Sequence, residues 1–429
     1  MKVFLDMVGC RLNQAEIEGY ANQFRAAGYS LTADPTSADL IVINTCTVTS
    51  AAASDSRQKI RQVSSGGAVQ VIVTGCLATL DPQQIMGIPG VTQVISNLDK
   101  DGLVPAVLGT DLSAFMHTSI HRQPIPGARL RTRAFIKAQD GCDNHCTFCI
   151  TTLARGSGRS QTIERVLADA LSAQRGGTKE VVLTGVHLGS WGKDFIPPQH
   201  LTELVLAVLT ETDLPRLRLS SIEPWDLDEE FFKLWADPRL CRHLHLPLQS
   251  GSATTLHRMA RKTTPESFTR LLTSARSVIP DLAVTTDIMV GFPGESDREF
   301  NESLAFVQAM NFAGGHVFTY SERPGTAAAR LAGSVPVRER KERSRRIRQA
   351  LAESSVIYRE RFIGRELPVL WESTQSYGPQ GWELRGLTDN YLRITAYSQE
   401  SISNRITVVK LLKLTKNGLL GKLKNQDKS

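Results

Sequence analysis

The sequence predicts an α/β chain in three parts: an N-terminal open parallel sheet, a central partial (βα)6 barrel and a small C-terminal antiparallel β-barrel. In the first hundred residues, β-branched apolar runs alternate with helical patterns. From about residue 131 the alternation resumes on a larger scale, and beyond Gly364 it gives way to short strands separated by turn residues. The corresponding spans are 1–115, 128–363 and 364–429. A chain of 429 residues is too long for one ordinary core, which fits such a division.

In the first part "VFLDMVG", "DLIVINT" and "VQVIVTG" read as strands. Between them "LNQAEIEGYANQFRAAG", closed by Gly28, and "AASDSRQKIRQVSSGG", closed by Gly66 and Gly67, read as helices. Cys10, Cys46 and Cys76 each follow the carboxyl end of a strand, where open α/β sheets bind ligands. Thiols about 30 residues apart in sequence can therefore converge in space. Three unrelated buried cysteines would explain one such placement easily and three poorly.

In the second part six strands are predicted: "RTRAFIKAQDG", "EVVLTGV", "RLRLSS", "HLHLPLQS", "AVTTDIMVGFPG" and "GGHVFTYS". Helical patterns follow at 160–177, 200–211, 227–236, 264–277 and 296–310. Right-handed crossovers curl such units into a barrel whose functional groups gather at the carboxyl ends of the strands. Gly185, Ser221, Glu223, Gln249, Ser250, Gly291, Gly294 and Tyr320 stand there. The loop "DGCDNHCTFCI", after the first strand, places Cys142, Cys146 and Cys149 in a C-x3-C-x2-C pattern on the same rim.

Seven cysteines, an odd number, and an N-terminus that reads as a strand argue against a disulfide framework and for a reducing, cytoplasmic location. Cys241 stands apart and reads as a buried apolar residue. No stretch approaches the length of uninterrupted apolar sequence a membrane span needs. The net charge of +7 fits an anionic partner such as nucleic acid, and equally an ordinary surface.

Three thiolates fall one short of the four ligands that a zinc site or a four-iron cluster takes. A [4Fe–4S] cluster on three cysteines keeps one iron open to a small chelating molecule, such as the amine and carboxylate of an amino acid. Zinc would need a fourth ligand, for which His145 is the local candidate. Its adjacency to Cys146 makes chelation of one ion awkward.

C-x3-C-x2-C with Phe148 before the last cysteine, after the first strand of a βα barrel, resembles the radical S-adenosylmethionine enzymes. The stretches "GCRLNQAE", "VINTCTVT", "VTGCLA", "DGCDNHCTFC", "VVLTGVHLGSWG", "RLRLSSIEP", "HLHLPLQSGS", "DIMVGFPGE" and "HVFTYSERPGT" resemble the methylthiotransferase branch from residue 9 to about 326. The resemblance implies a [4Fe–4S] cluster on Cys142, Cys146 and Cys149 that binds S-adenosylmethionine and yields a 5′-deoxyadenosyl radical. It implies a second [4Fe–4S] cluster on Cys10, Cys46 and Cys76, where sulfur for insertion can bind. Phe148, Gly185, Ser221, Glu223, Gln249, Gly291 and Tyr320 are the expected cofactor contacts; no catalytic side chain is assigned. "LTGVHLGSWG", "LSSIEP" and "HVFTYSERPGT" look most like enzymes acting on N6-threonylcarbamoyladenosine at position 37 of tRNA. Sibling branches act on isopentenyladenosine in tRNA or on a ribosomal-protein aspartate. Thr152 and Leu153 replace a common Pro-Tyr, and Arg11 a more usual lysine, which leaves substrate contacts open.

The partners implied are tRNA, through its anticodon loop, an electron donor such as a flavodoxin or ferredoxin, and a sulfur donor. Threonylcarbamoyl carries a carboxylate, so its pocket needs donors, for which Arg155, Arg159, His187 and Arg323 are candidates. The barrel is expected to have its own core, independent of the last part. From Arg338 to Arg348 a helical pattern holds seven basic and two acidic residues, a phosphate-binding or merely solvated face. "ELPVLWE", "GWELRGLT", "YLRITAY" and "RITVVKLLKL" then resemble the strands of a TRAM RNA-binding domain, in which Asn390, Tyr391 and Arg393 and the lysine-bearing tail could meet RNA. The rival reading is a non-catalytic RNA-binding protein with structural metal sites.

Overall fold

The computed structural model describes residues 1–64, 70–110, 126 and 132–424. It forms two compact units: Met1–His145 with Cys149–Gly177 and Thr184–Gln199, and Cys146–Phe148 with Thr178–Leu183 and His200–Ser429. The predicted helix end at Gly66 and Gly67, the first-strand residue Arg131 and the predicted boundaries at 115, 128 and 429 lie outside the described residues.

In the first unit, β1 (Lys2–Met7), β2 (Ser30–Thr32), β3 (Leu40–Thr45), β4 (Gln70–Gly75) and β5 (Val91–Ile95) form a parallel sheet in the order β2-β1-β3-β4-β5. Helices α1 (Arg11–Ala26), α2 (Ser50–Ser64), α3 (Cys76–Leu80), α4 (Pro82–Met86) and α5 (Leu103–Leu108) connect or follow the strands. Every residue of β3 is buried. Successive side chains of a strand point to opposite faces. Leu40 and Val42 accordingly join Val3, Tyr20 and Phe24 in one core, while Ile41 and Ile43 join Ile60, Val71 and Val73 in another. A strand covered on both faces must be apolar throughout, which is why "LIVI" lacks alternation. Each such buried side chain contributes about 1.5–3 kcal/mol.

The unit continues through β6 (Arg133–Lys137), β7 (Gln139–Asp140), α6 (Thr151–Arg155), β8 (Arg159–Ser160) and α7 (Ile163–Arg175). β7 and β8 pair antiparallel, Asp140 opposite Arg159, at the two ends of the segment that carries Cys142, Cys146 and Cys149.

The second unit holds the other five predicted barrel strands: β9 (Glu180–Thr184), β10 (Arg216–Leu219), β11 (His243–His245), β12 (Ala283–Val290) and β13 (Gly314–Thr319). β9 pairs parallel with β10, and β11, β12 and β13 pair parallel in that order. Parallel bridges Leu217–Leu240 and Ser221–His245 carry the array from β10 to β11. The helices are α8 (Leu201–Glu211), α9 (Glu229–Phe232), α10 (Ala253–Arg258), α11 (Pro265–Val278) and α12 (Asp297–Ala309). Thr264 and Ser296 cap α11 and α12 with reciprocal side-chain bonds.

A long helix, α13 (Val337–Glu360), leads to β14 (Glu366–Gly378), β15 (Gly381–Thr388), β16 (Arg393–Ser398), β17 (Ile406–Thr415) and β18 (Gly418–Leu423). These close into a barrel in the order β14-β15-β16-β18-β17. One contact, β16 to β18, is parallel; the rest are antiparallel. A closed ring with an odd number of strands cannot alternate direction throughout, so one parallel pair is a geometric necessity.

This C-terminal part also packs against the strands and helix that precede it. Ala283 of β12 and Tyr358 and Phe362 at the end of α13 share one core with Val369, Trp371, Ile394 and Val409. Arg216 donates to the carbonyls of Leu387 and Pro368 at 2.9 and 2.7 Å, and Arg218 to that of Asp389 at 2.9 Å. Among the described residues no helix is long and apolar enough to cross a membrane.

Candidate functional site

Cys10 caps the start of α1, Cys46 follows β3, and Cys76 opens α3 directly after β4, so all three stand at carboxyl ends of adjacent strands. Gly9, at φ +123°, permits their approach, since a Cβ there would meet Cys46 Cβ at 2.6 Å. The three sulfurs are near enough to feel one another's charge: Cys10 senses Cys76, and Cys46 senses both. Cys10 is exposed, Cys46 and Cys76 buried. Desolvation nonetheless raises the Cys10 thiol, and it pushes Cys46 up to about 11. A thiol held protonated this way ionises when a metal replaces its proton.

Behind these cysteines lies a buried ionic group that sequence reading missed. Arg155 donates to Asp140 at 2.8 Å, to Glu16 at 3.1 Å and to Asn13 Oδ1 at 2.8 Å. Lys100, fully buried, pairs with Glu16 and lies 2.7 Å from Asp140. Lys137 is shared between the same carboxylates and Asp101. Burial pushes the Glu16 carboxyl up, but Arg155 and Lys100 outweigh it and hold it at about 2; the same balance holds Asp140 well below the usual carboxylate range. These residues are scattered from 13 to 155, so no local pattern announced them; "GCRLNQAE" contained Asn13 and Glu16 without showing their partners.

In the second cysteine set, Cys142 Sγ accepts from the Asn144 amide and Cys149 Sγ from the Thr151 amide, each at 3.4 Å. In the second unit, Arg261 Nη1 donates to Cys146 Sγ at 3.7 Å. Arg261 is itself fixed by both carboxylate oxygens of Glu223, by the Pro247 carbonyl and by the Trp225 ring 4.5 Å away. Sulfurs that collect N–H donors and a guanidinium suit metal-bound thiolates. Among the described residues no three His, Cys, Asp or Glu side chains surround a single ion. Thiolates of a four-iron cluster each bind a different iron and need not converge on one point, whereas the zinc alternative through His145 requires convergence.

The predicted rim residues fall into separate groups. In the first unit Gly185 packs on the Gln139 side chain, whose Oε1 accepts from the His187 amide at 2.8 Å; His187 in turn meets Asn144 at 3.2 Å. In the second unit Glu223 is spent on Arg261, and Ser221 is bridged to His245. Gln249 has φ +72° and exchanges backbone bonds with Asp287 and Met289. Ser250 is buried and accepts from the Ser252 amide. Gly291 lies beneath Arg340, which also donates to the Tyr320 carbonyl. Tyr320 and Phe148 pack in one apolar cluster with Phe292 and Met259. The Gly294 amide donates to the Gly333 carbonyl at 2.7 Å.

Several candidates serve other ends. Arg155 is committed to Glu16 and Asp140 and is removed as a substrate donor; Arg159 remains half-buried, donating to the Arg155 carbonyl. The Tyr391 ring is stacked on His243 at 4.1 Å and has the Arg218 guanidinium 5.3 Å from its centroid. Asn390 is buried against Tyr358 and Thr388. Both are engaged within the protein, whereas Arg393 is exposed. On α13, Arg340 and Arg343 turn inward to Val335 and Glu295. Arg338, Lys341, Arg345 and Arg348 are exposed, Arg348 with one donor on the Val317 carbonyl. Cys241 is buried beside Arg218 and Glu180, and burial pushes its thiol up to about 12, as a structural cysteine requires.

Comparison with known proteins agrees with this geometry. Residues 2–96 match "Uncharacterized protein family UPF0004" and residues 136–307 the "Radical SAM superfamily". The threonylcarbamoyladenosine tRNA methylthiotransferase MtaB of Bacillus subtilis (strain 168) is 36% identical over 418 residues, covering 95% of this chain and 92% of its own. The protein of the same name from Thermotoga maritima is 37% identical over 378 residues, covering 86% of each. Among solved structures, the radical S-adenosylmethionine methyltransferase TsrM of Kitasatospora setae superposes with a TM-score of 0.59 over 76% of this chain and 75% of its own; at 15% identity it shows the shared fold. The chain belongs to the MtaB-like family of radical S-adenosylmethionine enzymes and is a tRNA methylthiotransferase.

Proposed function

We propose that this enzyme places a methylthio group on C2 of N6-threonylcarbamoyladenosine at position 37 of tRNA, using S-adenosylmethionine both as methyl donor and as radical source. The observation that carries the sulfur chemistry is the pair of three-thiol sets. The adenosine is supported by what curated relatives covering 86–97% of this chain are named for. In this reading Cys142, Cys146 and Cys149 hold one [4Fe–4S] cluster, and Cys10, Cys46 and Cys76 hold a second. The donor sets fit: sulfur ligands alone, three in each, with N–H groups aimed at all three sulfurs of the second set and at Cys76 of the first. When bound, cluster and S-adenosylmethionine supply the radical chemistry that an unactivated aromatic C–H bond needs.

The protein's own contribution is positioning. Arg261, clamped by Glu223, keeps a cation against the Cys146 sulfur, and the Asn144 and Thr151 amides set partial positive charge against the Cys142 and Cys149 sulfurs. The apolar cluster of Phe148, Met259, Phe292 and Tyr320 keeps water from that flank. Phe148, Gly185, Ser221, Glu223, Gln249, Gly291 and Tyr320 stay proposed as the cofactor surroundings, with Glu223 acting through Arg261. Position 37 lies in a single-stranded loop, so its base can enter a pocket at low cost. The division into 1–115, 128–363 and 364–429, with the last part an RNA-binding TRAM domain, belongs to the same proposal, as do a flavodoxin- or ferredoxin-like electron donor, a sulfur donor and a cytoplasmic location.

Purified, anaerobically reconstituted enzyme is expected to modify tRNA bearing threonylcarbamoyladenosine and to leave tRNA bearing isopentenyladenosine unchanged. A pocket built around a carboxylate rejects a hydrocarbon by orders of magnitude, about 10⁴ where buried polar groups are left unpaired. Nucleoside analysis after equal incubation reads the ratio directly. Turnover of the isopentenyl substrate alone would transfer the enzyme to the sibling specificity.

A further inference from the structure

Asn97 is almost wholly buried and sits two residues beyond the end of β5, beside Cys76. Its backbone amide donates to Thr79 Oγ1 at 2.8 Å, one turn beyond Cys76 in α3. Its side-chain amide has two N–H donors and one carbonyl oxygen, and all three directions are used. Nδ2 donates to the Ala154 carbonyl at 2.7 Å and to Cys76 Sγ at 3.6 Å. Oδ1 accepts from the buried Lys100 ammonium at 3.3 Å. A flipped amide would set its oxygen against a carbonyl and a sulfur, and its NH2 against an ammonium. The orientation is therefore fixed by its partners. Lys100 is itself held by Glu16 and Asp140.

From this geometry we propose that Asn97 is a positioning residue: oriented by Lys100, it donates an N–H···S hydrogen bond to Cys76 and raises the reduction potential of the cluster on the N-terminal cysteines. The proposal rests on the reading that Cys10, Cys46 and Cys76 hold a cluster. Hydrogen bonds to ligand sulfurs draw negative charge from the cluster and favour its reduced form. Because Lys100 also touches Asp140, and Asn97 also touches Ala154, the charged group that braces the thiols supplies the orientation as well.

The test uses the full chain carrying Cys142→Ala, Cys146→Ala and Cys149→Ala, reconstituted with iron and sulfide, so that only the N-terminal cluster is titrated. Asn97→Leu removes the donor, and Asn97→Asp keeps the shape while replacing the donor by an acceptor. Both are expected to reduce the ratio of reduced to oxidised cluster at a fixed solution potential by about tenfold, about 59 mV for a one-electron couple. Lys100→Met should shift it in the same direction by releasing the amide. A merely structural role for Asn97 would lower thermal stability and leave the potential unmoved. A cluster whose potential is unchanged in both Asn97 variants overturns the proposal alone. Failure of the parent to bind any cluster overturns the two-cluster reading and the proposal with it.

Discussion

Removal of residues 365–429 is expected to unfold the second unit rather than only weaken tRNA binding. The C-terminal barrel contributes Leu367, Val369, Trp371, Ile394 and Val409 to a core shared with Ala283, Tyr358 and Phe362. It also supplies the carbonyls of Pro368, Leu387, Thr388 and Asp389 to Arg216 and Arg218, and the Asp389 carboxylate to Arg242 at 2.6 Å. Truncation leaves Arg216 and Arg218 only Glu180 as partner and turns the side chains of Tyr358 and Phe362 out to water. At about 1.5–3 kcal/mol for each large apolar side chain, the lost shared core is a large fraction of a domain stability of about 5–15 kcal/mol. Truncated protein should lose its cooperative thermal transition and be digested rapidly between β9 and α13. A truncated chain that melted within a few degrees of the intact one would show that the shared core contributes little.

The two cysteine sets should separate cleanly by mutation. Replacing Cys142, Cys146 and Cys149 with Ala should abolish cleavage of S-adenosylmethionine while about four irons stay bound, since the N-terminal thiols have their own strand ends and their own buried bracing. Replacing Cys10, Cys46 and Cys76 should leave reductive cleavage measurable and stop methylthio formation. The thiol outside both sets, Cys241, is buried in the other unit and is not placed to replace the lost ligands. Iron content and 5′-deoxyadenosine release read the two outcomes independently. Wild-type methylthio yield from the N-terminal variant would end the two-cluster reading.

Much of the architecture was legible because the signals were local. "LIVINT" and "QVIVTG" carry continuous apolar runs, "LIVI" and "VIV", and the six barrel strands are separated by amphipathic segments of helix length. The strands missed were β2, β5, β8 and β18, all short: "SLT" is three residues long, β8 two, and "GLLGKL" carries glycines that read as turn. The cysteines were legible because thiols are rare and their spacing at strand ends is informative. The residues around them were not. Arg155 meets Glu16 across 139 positions and Arg261 meets Cys146 across 115, distances over which one sequence carries no pairing signal. Tyr391 misled for a related reason: an aromatic beside Asn and Arg suits RNA, but a stack on His243 can be seen only once the chain is folded.

Family membership decides for an enzyme and against a non-catalytic binding protein with structural metals. The identity of the modified adenosine is the central claim, and mass spectrometry of tRNA nucleosides from cells with and without this protein tests it most directly. Cells that contain the protein should carry 2-methylthio-N6-threonylcarbamoyladenosine; cells without it should carry the unmethylthiolated nucleoside in its place, with isopentenyladenosine derivatives unchanged. Persistence of the methylthio-threonylcarbamoyl nucleoside in cells without the protein, with loss of the methylthio-isopentenyl one, would contradict it.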